Sequence, residues 1–141
     1  MKEFSNRWKS SSKKSKQVKY RANAPLHIKR KFVRSHLSKE LKQKYGKRSM
    51  GVRVGDKVKI VRGQFKKKEG RVEEILLKDA KLYISGAEAI KKDGGKRFYP
   101  VDPSNVIITT LVLEDKKREA ILNRTGEKKA KADVKAEKEK K

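Results

Sequence analysis

Between residues 57 and 113 apolar side chains recur at every second position or in short β-branched runs, cut by glycine, aspartate and proline at intervals too short for helices. The pattern predicts strands over 57–62, 71–77, 81–90, 96–101 and 106–113. Asp93, Gly94 and Gly95 mark a hairpin, because glycine accepts the positive φ of a tight turn. Gly86, inside the third run, marks a bulge. Short strands this closely spaced predict a mainly β unit, a small barrel that closes its own edges, with an open meander as the alternative. Val58, Ile60, Phe65 and Val72 are the inward candidates.

The flanks read differently. Serine and lysine dominate residues 9–19 with no hydrophobic period, which predicts disorder in isolation. Pro25 can open a helix in which Ile28 and Phe32 share a face while Lys29, Arg30 and Arg34 project elsewhere. A second short helix follows, with Ser38 as N-cap, Leu41 and Tyr45 four apart, and Gly46 as its stop. Both are too short to persist alone and should fold against the barrel or a partner. Past residue 113 only 7 residues are apolar, four of them alanine, which predicts a surface helix running into a solvated tail. The expected organisation is therefore a basic N-terminal extension with two short helices (1–49), the barrel (50–113) and a short helix with a charged tail (114–141).

Charge narrows the function. Of 141 residues, 42 are Lys or Arg and 17 are Asp or Glu, a net charge of +25. Residues 1–49 hold 17 basic and 2 acidic side chains, against 14 and 8 in residues 50–113 and 11 and 7 in residues 114–141. With 34% hydrophobic residues the chain can build one small core, which argues against an enzyme with a buried pocket and for a polyanionic partner. Cysteine is absent and there are two histidines, so neither a thiolate site nor a histidine-rich metal site is expected, and no cofactor. No apolar run has the roughly 18–20 residues of a membrane span, and no signal-peptide stretch opens the chain, so a soluble intracellular protein is expected. Glu73, Glu74 and Asp79 are acidic neighbours without a histidine or glycine loop beside them, and read as a solvent face rather than a catalytic pair.

The most informative stretch is VGDKVKIVRGQFKKKEGRVEEI, residues 54–75. Arg62, Lys66, Lys67, Lys68 and Arg71 crowd a loop between two strands, and Gly63 and Gly70 let that loop bend. A cationic loop on a rigid edge suits a phosphate backbone; the plainer account is a solvated charge run on a hairpin. In the extension, Lys13, Lys14, Lys16, Lys19 and Arg21 supply phosphate contacts, and Trp8 and Tyr20, with no core nearby in sequence, are candidates for stacking on bases, packing on the barrel being the rival. Lys29, Arg30, Arg34, Lys44 and Arg48 extend the basic set through the two helices, and Lys96 and Arg97 add the hairpin. His27 is a candidate for phosphate or ribose, although a solvent-facing or capping role is commoner for it and for His36. Phe98 and Tyr99 alternate on a strand, so one should face the core.

The stretch 54–75 resembles a KOW motif, and the blocks NAPLHIKRKF, LSKELKQKYGKRSM and FYPVDPSNVIITTL, with Asp115-Lys116-Lys117-Arg118, resemble the archaeal and eukaryotic form of ribosomal large-subunit protein twenty-four, called protein twenty-six in eukaryotes. The likeness runs from about residue 4 to about residue 124. It implies an SH3-like barrel with an extended basic N-terminus bound to large-subunit ribosomal RNA, early in assembly and near the polypeptide exit tunnel. It further implies neighbouring large-subunit proteins, and the nascent chain or factors at the tunnel exit, as partners, with no small-molecule substrate and a cytoplasmic place in the ribosome. Two departures stand out. The motif commonly has glycine where this chain has Lys67, so an altered backbone path and a higher charge are expected there. The usual proline after RSM is Gly51, which makes the entry to the barrel less rigid. A KOW-containing transcription elongation factor is the second reading, but it calls for a preceding α/β domain that residues 1–49 are too polar to build. A small RNA-modifying enzyme is third and lacks a nucleophile, base or metal constellation.

Overall fold

The computed structural model describes residues 4–124. The chain opens with a 3-10 helix, Asn6–Ser10, followed by α1 (Lys14–Asn23) and α2 (Leu26–Phe32). Strand β1 (Arg34–Leu37), helix α3 (Lys39–Tyr45) and strands β2 (Ser49–Gly51), β3 (Lys57–Ile60), β4 (Glu69–Leu76), β5 (Lys81–Ile84), β6 (Glu88–Ile90) and β7 (Lys96–Phe98) come next. A 3-10 turn at Pro103–Asn105 leads into β8 (Val106–Thr110), and residues 116–124 form α4. The solvated tail expected beyond residue 124 lies outside the described residues. No helix among the described residues is long and apolar enough to cross a membrane.

The six-stranded sheet has the order β2-β1-β8-β3-β4-β5, and β6 and β7 pair separately as a two-stranded ribbon. This corrects two expectations. The protein mixes helix and sheet rather than being mainly β, and the hydrogen-bonded ladder does not close into a barrel: β2 and β5 are its edges. The far side of β5 is covered at one point, where Leu82 and Val101 exchange backbone hydrogen bonds of 2.8 and 2.9 Å. β4 bends at a register shift between Val72 and Glu74, passing from its pairing with β3 to its pairing with β5. The expected strand over 81–90 is broken because Gly86 takes φ +80° and turns the chain into the ribbon.

The main core joins Val58, Ile60, Phe65 and Val72, the expected inward set, to Leu37, Leu82, Ile84, Val106 and Ile108. Strand β3 follows from its Lys-Val-Lys-Ile alternation, which buries the apolar pair and leaves the lysines out. Helix α3 also forms as its caps predict: Ser38 Oγ accepts from the Leu41 N–H, and Gly46 takes the left-handed conformation. Leu41 and Tyr45 pack against the main core. α4 is no surface helix, since Leu122 enters the core and Arg118 is buried beneath it.

The serine- and lysine-rich segment is helical, and Trp8 and Tyr20 do have a core beside them. Tyr20, Ala24 and Ile28 form a second cluster with Phe4, Trp8 and Phe32 against it. The Tyr20 ring stacks on Phe4 at 5.5 Å and meets the edge of Phe32 at 5.9 Å. Gln17 ties the 3-10 helix to α1 by donating to the carbonyls of Trp8 and Ser11, at 2.9 and 2.6 Å. These aromatic contacts supply what the lysines around them cannot, a reason for the arm to fold on itself.

Candidate nucleic-acid interface

The loop of residues 61–68 leaves β3 and re-enters β4 over a rigid base. The Ile60 N–H donates to the Lys68 carbonyl at 2.9 Å, and the Lys67 N–H returns to the Ile60 carbonyl at 2.8 Å. Phe65 is buried and anchors the loop, with Lys68 Nζ 5.2 Å from its ring centre. Arg62, Lys66, Lys67, Lys68 and Arg71 are all exposed around that anchor. Gly63, at φ +96°, makes the bend, whereas Gly70 serves a different end from the one its sequence suggested. A Cβ on Gly70 would lie 2.1 Å from the Ser85 carbonyl oxygen and 2.8 Å from Ile84 Cγ2, so glycine there lets β5 approach β4. Lys67 holds φ +73°, a left-handed conformation that glycine favours. The lysine therefore adds charge at a position that still has the backbone form suited to glycine.

Charges on this face are not all compensated. Lys57 sits directly opposite Arg71 in the β3–β4 register, and like charges so placed repel. The next outward lysine, Lys59, is instead paired to Glu69 at 2.9 Å. The arm presents Lys13, Lys14, Lys16, Lys19 and Arg21 outward on α1, Arg21 lying 5.9 Å over the Phe32 ring. Trp8 is half-buried and Tyr20 only 7% exposed, so little of the Tyr20 ring is left free in the folded arm. Lys29 donates to the Lys78 carbonyl at 2.8 Å, fastening α2 to the turn after β4.

Three of the candidates, His27, Arg30 and Arg34, come together on the rim of an open groove of about 1090 Å³ between α2, β2 and α4. Lys31, Arg53 and Lys117 share that rim and were not singled out in sequence. Lys47 stands nearby: partial burial lowers its ammonium below the usual lysine value, and the charges of Arg124 and Arg34 push it down further. It donates to the Ile121 carbonyl. Arg34 donates to the Ser49 carbonyl at 3.3 Å, and Arg48 is exposed in the chain just before β2. Lys44 lies 5.4 Å over the Tyr45 ring. Lys96 and Arg97 lie on β7, with Lys96 4.0 Å from Glu88 across the ribbon. Phe98 and Tyr99 are 40% and 41% exposed, against the expectation that one faces the core. Each instead lies partly exposed against one ring, Phe98 on Tyr83 at 6.2 Å and Tyr99 on the core residue Phe65 at 5.3 Å. His36 is half-buried on β1. Glu73, Glu74 and Asp79 are exposed. Among the described residues no group of His, Asp or Glu could hold a metal ion.

The residue that ties α4 to the sheet was not singled out in sequence. Arg118, 4% exposed, grips the fully buried Asp56 with both arms of its guanidinium, at 2.8 and 2.6 Å. The same side chain donates to the carbonyls of Val112 and Gly51, so α4, the end of β8 and the end of β2 meet at one point. Asp115 opens α4: its carboxylate accepts the Lys117 N–H at 2.8 Å and pairs with Arg53 at 2.5 Å. Those contacts, the Lys117 N–H first and then the Arg53 charge, hold its carboxyl below the usual range.

Comparisons with known proteins meet this arrangement. Residues 11–125 match the family of ribosomal proteins described as protein twenty-six in eukaryotes and as protein twenty-four in archaea. Large ribosomal subunit protein uL24 of Methanosphaera stadtmanae is 42% identical over 114 residues, 81% of this chain and 97% of that protein. The uL24 protein of Methanocella arvoryzae is 44% identical over 115 residues, 82% of this chain and 93% of its own length. Matches of that extent cover the arm from α1 onward, the sheet and α4 together, and the chain belongs to this uL24 family of archaeal and eukaryotic ribosomal proteins, with a structural role in the cytoplasmic ribosome and no enzymatic one.

Proposed function

We propose that the chain binds large-subunit ribosomal RNA through two cationic regions: the loop of residues 61–68 with Arg71, and the arm and groove rim from Lys13 to Arg48. The observation that carries this is the cations without a counter-charge among the described residues, most clearly Lys57 against Arg71 in the ladder and Lys47 beside Arg34 and Arg124. Phosphates arriving at such places relieve repulsion already present in the fold, and the excess of 17 basic over 2 acidic residues in 1–49 extends the same field. The name of the relatives supports the large subunit as the place of binding. Neighbouring large-subunit proteins are proposed as further partners.

The finer readings follow from the family resemblance: an early role in subunit assembly and a position by the exit tunnel. The β6–β7 ribbon supports contact with a nascent chain or a tunnel-exit factor, since Ile90 at its end is 78% exposed. The bend of β4 and the short Leu82–Val101 bridge support describing the sheet as an opened SH3-like barrel. Titration of the full chain against a large-subunit RNA fragment over a range of salt tests the central reading. Each neutralised phosphate contributes about −0.7 to −0.9 to the slope of log K against log salt. Changing Arg62, Lys66, Lys68 and Arg71 together to Ala should flatten that slope by up to about three units with the melting curve little changed. A wild-type slope near zero would refute the reading.

A further inference from the structure

Beside the cationic loop lies a second, smaller pocket of about 150 Å³, lined by Ile60, residues 62–65, Lys81, residues 99–102 and Asn105. Its size corresponds to roughly five waters at about 30 Å³ each, room for one flat heterocycle without its sugar and phosphate. One wall is Tyr99, whose ring leans on Phe65 at 5.3 Å and is otherwise 41% exposed. The polar lining is largely unengaged by protein partners, with Arg62 and Gln64 exposed. The side-chain amides of Gln64 and Asn105 and the guanidinium of Arg62 have no hydrogen bond or ion pair among the described residues. Asp102 stands at the start of the 3-10 turn without capping it, and gives one oxygen to Lys81 at 2.8 Å, leaving Oδ2 free.

These groups have the chemistry of a base edge rather than of a phosphate. Two amides offer a donor and an acceptor each, an aromatic face offers stacking, and the acid is matched by Lys81. A phosphate would meet the carboxylate of Asp102. Arg62 lines the pocket and is exposed, and Lys66 and Lys68 are exposed further along the same loop, as cations for the phosphates on either side. We propose that this pocket between the loop and Tyr99–Asp102 receives one unpaired RNA base carrying an exocyclic amine, adenine, cytosine or guanine, with the amine on Asp102 and the ring against Tyr99. The proposal rests on the RNA-binding reading above and adds a base-reading site to it. Uracil has no exocyclic amine, and its one Watson–Crick donor, N3–H, is flanked by two carbonyl oxygens that repel the acid, so it is the base the pocket disfavours.

The test titrates the full chain with ten-nucleotide RNAs of uridine, bearing either no substitution or one central adenosine, cytidine or guanosine, at two salt concentrations. The wild-type chain should bind the substituted RNAs several-fold more tightly than the all-uridine one. Asp102→Ala should abolish that preference, since the acid that takes the amine is gone, and the pair it breaks with Lys81 is part-exposed and contributes little to stability. Gln64→Ala with Asn105→Ala should weaken binding of the substituted RNAs while leaving the salt slope unchanged, because no phosphate contact is removed; both side chains lack partners among the described residues, so this double variant should melt with the wild type. Tyr99→Ala should weaken binding of the substituted RNAs by about 5- to 100-fold, the contribution of one stacked base, and Tyr99→Phe should restore it. A wild-type chain that binds all four RNAs alike with a steep salt slope overturns the pocket and leaves the RNA-binding reading standing, as does an Asp102→Ala variant that discriminates as well as the wild type. A chain that shows no salt-dependent binding to any of them overturns both.

Discussion

Replacing Arg118 with Met keeps the stem of the side chain and removes its charge, and the structure sets the size of the consequence. Asp56 is fully buried and accepts four hydrogen bonds, two from Arg118 and one each from the Arg53 and Val112 N–H groups. Without the guanidinium the carboxylate keeps two neutral donors and no counter-charge, and the carbonyls of Gly51 and Val112 each lose a donor. Breaking one side of a buried ion pair costs about 3–5 kcal/mol. A domain of this size is held by about 5–15 kcal/mol, so the loss takes roughly a fifth or more of the total. Urea denaturation should show the midpoint falling by about 1 M or more at an m-value of about 1–3 kcal/mol/M. Arg118→Lys should recover less than half, because an ammonium cannot reach both carboxylate oxygens and both carbonyls at once. Pairing Arg118→Met with Asp56→Leu should recover part of the loss, limited by the Arg53 and Val112 N–H groups left without an acceptor, about 1–3 kcal/mol each. RNA affinity of the folded variant should stay within about twofold, since Arg118 is too buried to touch a phosphate. A loss below about 1 kcal/mol for Arg118→Met would refute the assignment of Arg118 as the clasp of α4.

Three further outcomes are expected. Gly70→Ala should destabilise by about 1–3 kcal/mol or more, since its new methyl meets the Ser85 carbonyl rather than a side chain that could swing away, and amide exchange should quicken at Arg71 and Ser85. Lys67→Gly should stabilise by up to about 1 kcal/mol, the relief of a left-handed L-residue less the added entropy of glycine, while lowering the salt slope for RNA by up to about one unit; thermal melting and titration read the two separately. Asp115 has a folded-state carboxyl depressed below its unfolded value, so its contribution is fully present above the ordinary carboxylate range and is lost as pH falls through the depressed value; Asp115→Asn should lower stability at neutral pH and flatten its dependence on the acid side, followed by denaturation between about pH 7 and pH 2.

What could be read from sequence was whatever local rules decide. Strand β3 follows from alternation and α3 from its two caps, and in both the neighbours along the chain determine the conformation. Strand β1 does not: its inward positions are Ser35 and Leu37, and a buried serine breaks the apolar signal. That serine is tolerated because its hydroxyl reaches the Pro103 carbonyl at 2.7 Å, and β1 is held by parallel pairing with β8, about seventy residues on. The second core was nearly legible. Tyr20, Ala24, Ile28 and Phe32 fall four apart, but Pro25 cuts the run into two helices and the surrounding lysines dilute it. The loop of residues 61–68 was found for its charge, which sequence displays. The pocket beside it was not, because Asp102 and Asn105 join Gln64 only when β8 returns to β3.

Acids and cations divide along the same line that separates fold from interface. Asp56 is paired with Arg118, Asp115 with Arg53, Glu69 with Lys59 and Asp102 with Lys81, each within the sheet or at its borders. The arm has almost no acid to offer: the first 49 residues contain Glu3 and Glu40, against 17 cations. Its fold is therefore carried by rings and aliphatics, with Tyr20 at the centre, and the lysines of α1 are left facing water with no ion pair among the described residues. A surface charge on the arm adds repulsion to the free chain and attraction to a polyanion, whereas a charge paired in the sheet is already neutralised before any partner arrives. The aromatic cluster thus does for the arm what the Asp56–Arg118 pair does for α4: it fixes a cation-bearing segment in place without neutralising the cations it presents.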